Sequence, residues 1–242
     1  MKFGIVVFPG SNCDHDMEHV LGTVMGAEVR MLWHKDTELK DLTAQDCIIL
    51  PGGFSYGDYL RAGAIARFSP VMQSVIRHAE QGGLVFGICN GFQILCEAGL
   101  LPGVLLRNAG QKFISKTVHL WTVTRETAIS SHIPPGKVLS MPVAHADGRY
   151  VVSEESLAAL YANDQVIFQY CDEHGDCTVD ANINGSTDHI AGICNIGKNV
   201  FGMMPHPERA SEPELGCTDG RLLFASLIES KAGLQIDTAS AK

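Results

Sequence analysis

Residues 84–95, LVFGICNGFQIL, change abruptly from a short apolar run to a segment of helical character. Residues 84–88 predict a buried strand, and Cys89 stands at the corner where the helix begins. Gly87 and Gly91 flank the cysteine as glycines flank the serine in the Gly-x-Ser-x-Gly elbow of hydrolases. A sulfur at a helix N-terminus faces unpaired amides and the positive end of the dipole, which favour the thiolate. The pattern predicts a nucleophile turn, and spacing alone leaves open an inert buried cysteine.

The runs on either side of this turn repeat the alternation of short apolar segments with segments of helical period. Such alternation is typical of βα units around a parallel sheet. In the longer of the two predicted helices, apolar residues recur every three or four positions, which predicts one buried face. The predicted strands span residues 2–8, 27–33 and 46–50, and the predicted helices span residues 14–26 and 64–81.

Beyond Pro102 the predicted strands are longer and alternate between apolar and polar residues, as in 116–124 and 138–143. Alternation of this kind is typical of antiparallel strands with one buried face. Residues 199–204 predict a last core strand, and residues 219–229 predict a closing helix. The sequence therefore predicts an α/β fold with a mostly parallel central sheet, flanking helices and an antiparallel extension.

Length and composition favour one packed domain. The chain has 242 residues, of which 45% are hydrophobic and 19% are charged. That size suits one α/β core, and the composition excludes a largely disordered chain. No repeat or linker divides the sequence, so residues 1–232 are expected to form a single domain. Residues 233–242 are small and polar, and we expect this tail to fray.

Charge and hydropathy argue against several kinds of partner. The formal net charge is −9, with no run rich in lysine and arginine, so we expect no nucleic-acid partner. The longest apolar runs fall far short of the roughly 20 residues that cross a bilayer, so we expect no membrane partner. The N-terminus lacks the long apolar region of a signal peptide. We therefore expect a cytoplasmic protein whose eight cysteines are reduced.

A second chemistry-bearing segment, residues 201–209 with the sequence FGMMPHPER, follows the last predicted strand. Pro207 disfavours a helical conformation at His206, so we expect an extended segment in which His206 and Glu208 project to the same side. Glu208 would hold one ring nitrogen, while the other takes the Cys89 proton and later returns it to the leaving amine. Alone, the tripeptide also fits a surface-loop histidine, and the Cys89 turn makes a triad the favoured interpretation.

A glycine-rich loop, residues 50–58 with the sequence LPGGFSYGD, overlaps the end of a predicted strand. Ligands bind at this end of open parallel sheets, so we expect the loop to border Cys89. The backbone amides of Gly53 and Asn90 could together form an oxyanion hole, with a plain turn as an equal alternative. The phosphate-binding Gly-x-x-x-x-Gly-Lys-[Ser/Thr] motif is absent from the sequence, which disfavours a nucleotide site.

At these residues the sequence resembles a known family. Gly-x-Cys-x-Gly-x-Gln at 87–93, with a later His-x-Glu at 206–208, is the pattern of class I glutamine amidotransferases. More narrowly, residues 8–14, 53–66 and 203–209 are similar to the glutaminase subunits of phosphoribosylformylglycinamidine synthases. The resemblance spans most of the chain and implies a flavodoxin-like fold.

The resemblance also implies site residues, partners and a pathway. It implies that Cys89 forms a γ-glutamyl thioester, that Gln93 and Gly52 help to bind glutamine, and that Gly53 and Asn90 are the oxyanion donors. This chain itself is expected to need no cofactor or metal. A large synthetase subunit that uses ATP and magnesium, and a small bridging subunit, are the implied partners in purine biosynthesis. Ammonia would pass from this chain to the synthetase within the complex.

Two places depart from the usual family pattern. Residues 145–148 read His-Ala-Asp-Gly where the family commonly has His-Gly-Glu-Gly, so any polar role of the acid would be made with a shorter arm; we assign it no catalytic role. Residues 171–177, CDEHGDC, form an apparent insertion. Structural zinc takes four ligands and only three are local, so a polar loop is favoured over a metal site. Cys171 and Cys177 could also pair if oxidised.

Two other functions compete with a glutaminase. One is a different Cys–His hydrolase, such as a peptidase or γ-glutamyl hydrolase, and Gln93 together with the match over residues 56–66 argues against it. The other is a catalytically silent binding subunit, which the intact cysteine, histidine and glutamate disfavour.

Overall fold

The computed structural model of this protein describes the backbone of residues 1–237 and the side chains of residues 1–230. The strands are β1 (Lys2–Val7), β2 (Glu28–Trp33), β3 (Cys47–Leu50), β4 (Leu84–Ile88), β5 (Val104–Leu106), β6 (Ile114–Thr122), β7 (Leu139–His145), β8 (Arg149–Val151), β9 (Val166–Cys171), β10 (Ile190–Cys194) and β11 (Val200–Met203). The α-helices are α1 (Asp14–Glu18), α2 (Pro70–Glu80), α3 (Asn90–Glu97), α4 (Glu154–Ala162) and α5 (Gly220–Asp237).

Nine strands form one sheet in the order β2-β1-β3-β4-β11-β10-β9-β6-β7, and β5 pairs with β8 in a separate two-stranded sheet. The first five strands of the large sheet are parallel to one another. The pairings from β11 through β7 are all antiparallel. The predicted fold class, a mostly parallel sheet with an antiparallel extension, is confirmed.

The parallel part of the sheet forms the centre of the core. Every residue of β3, β4 and β11 is buried, as expected for strands with both faces covered. Because these strands run in one direction, their carboxyl ends meet at one edge of the sheet. Cys89 follows β4 there, His206 lies just beyond β11, and Gly52 and Gly53 lie just beyond β3.

Two predicted helices differ from the observed ones. The helix predicted over 64–81 is broken, because Ser69 has an extended backbone (φ −59°, ψ 141°) and Pro70 begins α2. A residue before proline is disfavoured in the helical region, so Pro70 marks a start rather than an interior position. The helix predicted over 14–26 is short: α1 ends at Glu18 and continues as a π-helical segment, His19–Val24.

The C-terminal helix is longer than predicted. α5 runs from Gly220 to Asp237, beyond the predicted end at residue 229. Of the tail predicted to fray, 233–237 belong to the α5 backbone, and 238–242 lie outside the described residues. Within the described part of the chain, no helix combines the length and apolar character needed to cross a membrane.

Candidate active site

Cys89 stands at the predicted corner between β4 and α3. Its backbone has φ 50° and ψ −105°, a conformation that strains a non-glycine residue by about 1–3 kcal/mol. A Cβ on Gly91 would lie 1.8 Å from the Leu50 carbonyl oxygen, and one on Gly87 would lie 2.6 Å from the Gly91 carbonyl carbon. Only glycines therefore let β3, β4 and α3 approach one another at the cysteine.

His206 and Glu208 form a buried pair beyond β11. His206 Nδ1 lies 2.6 Å from Glu208 Oε1, and the residues are 2% and 1% exposed. The expectation of an extended segment was wrong after His206, because Pro207 begins a single 3-10 turn, Pro207–Ala210. The His206 amide donates to the Pro142 carbonyl of β7 at 2.9 Å. The antiparallel part of the sheet therefore helps to position the imidazole.

The electrostatics of this pair suit acid–base chemistry. Burial alone would lower the pKa of His206, but the Glu208 carboxylate and the Cys89 sulfur raise this pKa well above its usual 6.5. A carboxylate beside one ring nitrogen stabilises the imidazolium and fixes the ring orientation. The site thus favours a protonated His206 facing Cys89.

A cavity of ≈ 190 Å³ brings the cysteine and the histidine together. Its volume suits a small substrate group rather than a large ligand. A larger, more apolar groove of ≈ 630 Å³ lies between the end of α3 and α4, and none of the predicted site residues lines it. The lining residues of the smaller cavity are Asn12, Cys13, Gly53, Phe54, Cys89, Phe113, Ala144, His206 and Arg209.

The backbone amides of the two predicted oxyanion donors are placed where they could donate to an anion. Gly53 has φ +140° and pairs with Ser11, and a Cβ on Gly53 would lie 2.6 Å from Ser11 Cα. The hydrogen bonds of this pairing are made by the residues on either side of Gly53, which leaves its own amide outside them. Asn90 is the first residue of α3, where helical amides have no intrahelical acceptor. Their role as oxyanion donors stays a prediction.

The two residues expected to bind glutamine occupy different positions. Gly52 lies against the triad, because a Cβ there would come within 2.7 Å of His206 Cε1. The Gln93 side chain is engaged elsewhere: its Oε1 accepts from Asn90 Nδ2 at 2.8 Å, and its Nε2 donates to the Asp147 carbonyl at 2.6 Å. Gln93 does not line the cavity, so in this structure it braces the start of α3.

Sequence reasoning gave no role to Cys13, which the structure places in the cavity. Cys13 is 2% exposed and precedes α1. Arg209 Nη2 donates to its sulfur at 3.2 Å, and burial raises the pKa of its thiol despite the nearby His206. The only signal in the sequence was that Cys13 lies within residues 8–14, which are similar to the family, and this similarity does not indicate a chemical role.

The segment 145–148 supports the cavity wall. His145 Nδ1 lies 3.1 Å from Asn108 Oδ1, which also accepts from the Gly148 amide at 3.1 Å. Asn108 is fully buried, and its Nδ2 donates to the His145 carbonyl at 2.9 Å. The Asp147 carboxylate accepts from Arg107 Nη1 at 3.3 Å.

The 171–177 segment is a turn in which the Asp172 amide donates to the Asp176 carbonyl at 2.9 Å. Cys171 is buried and Cys177 is exposed, and both are free thiols. Among the residues with described side chains, the group of potential metal ligands close enough to share an ion is Cys13, His206 and Glu208, and it includes no residue of this turn.

Comparison with known proteins identifies the family of the chain. Residues 1–215 match the CobB/CobQ-like glutamine amidotransferase domain family. The chain is 53% identical over 232 residues to the phosphoribosylformylglycinamidine synthase subunit PurQ of Koribacter versatilis, covering 96% of this chain and 99% of that protein. It is 54% identical over 227 residues to PurQ of Salinibacter ruber, with 94% and 95% covered.

A solved structure has the same fold over nearly the same length. The chain superposes on a chain of PurLQS from Thermotoga maritima with a TM-score of 0.82 and 41% sequence identity, covering 95% of this chain and 98% of that chain. Identity at this level, together with the family match, decides the relationship. This chain belongs to the CobB/CobQ-like glutamine amidotransferase family and, within it, to the PurQ subunits of phosphoribosylformylglycinamidine synthase.

Proposed function

We propose that the cavity at Cys89 is the glutaminase site of a phosphoribosylformylglycinamidine synthase. Cys89 is the nucleophile, His206 is the acid–base group and Glu208 orients the imidazole. The observation that carries the proposal is the buried His206–Glu208 pair, joined at 2.6 Å, in the same cavity as a strained strand-to-helix cysteine. Nucleophile, base and orienting group are the three parts that amide hydrolysis through a covalent intermediate requires.

The reaction begins when the Cys89 thiolate attacks the side-chain amide carbon of glutamine. The amide oxygen takes up the negative charge, and the Gly53 and Asn90 amides donate to it. His206 gives its proton to the departing nitrogen, and ammonia leaves as the thioester forms. Water then loses a proton to His206 and attacks the thioester, which releases glutamate and regenerates Cys89. Gly52, which lies against His206, borders the bound amide.

The ammonia is used by a partner. Unprotonated ammonia is the nucleophile, so we propose that it passes directly to a large synthetase subunit, with a small bridging subunit completing the complex. ATP and magnesium act in that synthetase, and the assembly is cytoplasmic. Support comes from the likeness to a chain of PurLQS from Thermotoga maritima, which extends over 98% of that chain.

The test is ammonia release from glutamine by the purified chain, alone and with its synthetase, before and after treatment with diazo-oxo-norleucine. We expect turnover that the synthetase stimulates and the reagent abolishes, with the label on Cys89. Cys89→Ser should lose label and turnover by at least about a thousandfold. The matched control is Cys177→Ser, which changes an exposed thiol outside the cavity and should keep both.

Two outcomes would contradict the proposal. Full turnover in Cys89→Ser would place the chemistry on another residue. No ammonia and no label on Cys89, even with synthetase, ATP and its nucleotide substrate present, would make the chain a silent subunit that keeps the fold for contacts with its partner.

A further inference from the structure

The 54–60 segment, which follows Gly53, has an unusual backbone. Tyr56, Asp58 and Leu60 have φ of 53°, 52° and 71°, in the left-handed region that non-glycine residues rarely adopt. Residues in such conformations persist where the surrounding structure fixes them, and they cluster at functional sites. Side-chain contacts must therefore hold this backbone.

Two side chains of the segment make such contacts. Tyr56 Oη lies 2.6 Å from His34 Nδ1 and 2.9 Å from Ser69 Oγ, which ties the segment to the body of the protein. Asp58 Oδ1 accepts a hydrogen bond from Asn90 Nδ2 at 3.0 Å, which ties the segment to the first residue of α3. The segment is thus held on one side by the helix that follows the nucleophile.

The side chain of Asn90 is the centre of a closed hydrogen-bond network. Its Nδ2 donates to Asp58 and, at 2.8 Å, to Gln93 Oε1, and its Oδ1 accepts from the Ser55 amide at 3.0 Å. A carboxylate only accepts and a backbone amide only donates, so these partners fix the orientation of the Asn90 amide group. Asn90 is 1% exposed, and a buried network in which every group is satisfied is rigid. The network joins the start of α3 to the second residue after Gly53.

We propose that Asp58 is a positioning residue for glutamine hydrolysis, which fixes the two oxyanion donors relative to one another by holding the Asn90 side chain. This inference rests on the proposed function. The donors belong to different elements, since the Gly53 amide follows β3 and the Asn90 amide begins α3, and the Asn90 side chain bonds the one element to the other. Asp58 does not line the cavity, so it acts on the reaction through Asn90.

The charge of Asp58 suits this role. A carboxylate that accepts from an amide forms a charge-assisted hydrogen bond, about twice as strong as a bond between neutral groups. Burial raises the pKa of Asp58 to about 6, a rise that the Asn90 hydrogen bond opposes and the nearby Asp147 reinforces. The bond to Asn90 therefore stabilises the ionised form, and the ionised carboxylate in turn holds Asn90 more tightly than a neutral acceptor would.

Removing the carboxylate should slow the chemical step and leave substrate binding unchanged. The oxyanion is absent from bound glutamine and develops during the reaction, so its donors raise kcat rather than lower KM. Loss of a whole donor lowers kcat about 10²–10³-fold, and a displaced donor should cost less. In Asp58→Gly, which suits the positive φ, we expect kcat for ammonia release to fall about 10–100-fold, with KM within about twofold.

The test compares two reactions of Cys89 in the full chain with its synthetase. Ammonia release passes through an oxyanion, whereas alkylation by iodoacetamide is a displacement at a tetrahedral carbon and forms none. Asp58→Gly should slow ammonia release and leave the alkylation rate of Cys89 unchanged. Asp58→Asn keeps an acceptor oxygen and should recover most of the lost kcat. The matched control is Asp164→Gly, the same substitution at an exposed aspartate with φ 51°, which should leave both rates unchanged.

Asn90→Ala breaks the same hydrogen bond from the other side. It should lose at least as much kcat, and Asp58→Gly should cost little more in that background, because residues that act through one contact are not additive. An additive loss, wild-type kcat in Asp58→Gly, or an alkylation rate that falls as far as kcat overturns the inference. If circular dichroism shows that Asp58→Gly is unfolded, wild-type kcat in Asn90→Ala overturns it. No ammonia from the wild-type complex would instead reject the proposed function itself.

Discussion

The two halves of the central sheet build the same cavity by different physical means. In the parallel half, backbone approaches backbone: glycines at 87 and 91 let β3, β4 and α3 meet at distances that no side chain permits. In the antiparallel half, a buried polar side chain holds the backbone in place: Asn108 forms hydrogen bonds with the His145 ring, the His145 carbonyl and the Gly148 amide. The His206 segment joins the halves, since it follows β11 and donates to β7.

The two halves should therefore respond differently to substitutions. Backbone contact in a packed core tolerates no added atom, because the interior is as dense as an organic crystal. The hydrogen-bonded residues Asn108, His145 and Gly148 form what we call the antiparallel wall. Such a wall tolerates added atoms better, and its contribution to the free energy of unfolding falls when a buried donor or acceptor is left unpaired. A substitution at a close backbone contact of the parallel half should therefore prevent folding. A substitution in the antiparallel half should lower the free energy of unfolding by a smaller amount and leave the protein folded.

The largest effect is expected from Gly91→Ala in the parallel half. The new Cβ would lie 1.8 Å from the Leu50 carbonyl oxygen, so strand and helix must separate. We expect destabilisation of at least about 4–5 kcal/mol, in the range reserved for severe core changes, with little folded protein. Urea unfolding followed by circular dichroism measures this. Gly110→Ala is the matched control, since a Cβ there meets nothing within 4 Å; equal stabilities of the two variants would refute the close-approach argument.

The second effect concerns the junction of the halves. Glu208→Gln keeps the size of the side chain but removes the charge that raises the pKa of His206. By analogy with the Asp→Asn change in serine-protease triads, we expect kcat for ammonia release to fall about 10³–10⁴-fold. Steady-state kinetics at saturating glutamine measures it. Glu229→Gln changes an exposed glutamate and should leave kcat unchanged. A loss below tenfold in Glu208→Gln would show that the carboxylate does not orient the base.

The sequence predicted the parallel half well because its signals are local. A strand that ends on Gly-x-Cys-x-Gly has one compatible geometry, and the positive φ of Cys89 is what that elbow demands. The pairing of His206 with Glu208 was also predicted, although through an extended segment that is in fact a turn. The helix break at Ser69 was missed because apolar periodicity outweighed the signal of Pro70, which was present in the sequence.

The antiparallel wall was not predictable in the same way. Asn108 and His145 are 37 residues apart, and a single buried asparagine carries no periodic signal. Cys13 lies 193 residues before His206 in the sequence. Only the fold brings the carboxyl ends of β1 and β11 to the same side of the sheet. Gln93 shows the converse: its expected role in binding glutamine stays a prediction, and the two hydrogen bonds that its side chain makes within the protein were not foreseen.

An intermediate effect is expected from Asn108→Ala in the antiparallel wall. The change leaves the buried Gly148 amide and the His145 ring without their shared acceptor, and we expect a loss of about 2–3 kcal/mol in unfolding free energy. Chemical denaturation measures it, with Asn163→Ala, an exposed asparagine, as the control. Loss of all folded protein would contradict the claim that a substitution in this wall leaves the protein folded, and an unchanged stability would deny the network any contribution.

The smallest effect is a pH dependence located in the same wall. Burial and the neighbouring His206 lower the pKa of His145 to about 4, whereas the pKa of a histidine in an unfolded chain is about 6.5. The unfolded chain therefore binds this proton first, and the stability that neutral His145 provides is complete above about pH 6.5 and lost as the pH falls towards about 4. Between pH 7 and pH 5, wild type should lose on the order of 1 kcal/mol more unfolding free energy than His145→Gln.

Denaturation at the two pH values measures this difference, and the exposed His174, changed to glutamine, should behave as wild type. For each protein, the unfolding free energy at pH 5 is subtracted from that at pH 7. A hydrogen bond that glutamine makes less well than histidine contributes equally at both pH values, so it does not affect this difference. Equal pH dependence in wild type and His145→Gln would mean that the wall admits a proton on His145 without penalty. The antiparallel wall would then accommodate a buried charge at little cost in unfolding free energy, and it would differ even more from the glycine-packed half, which accommodates no added atom.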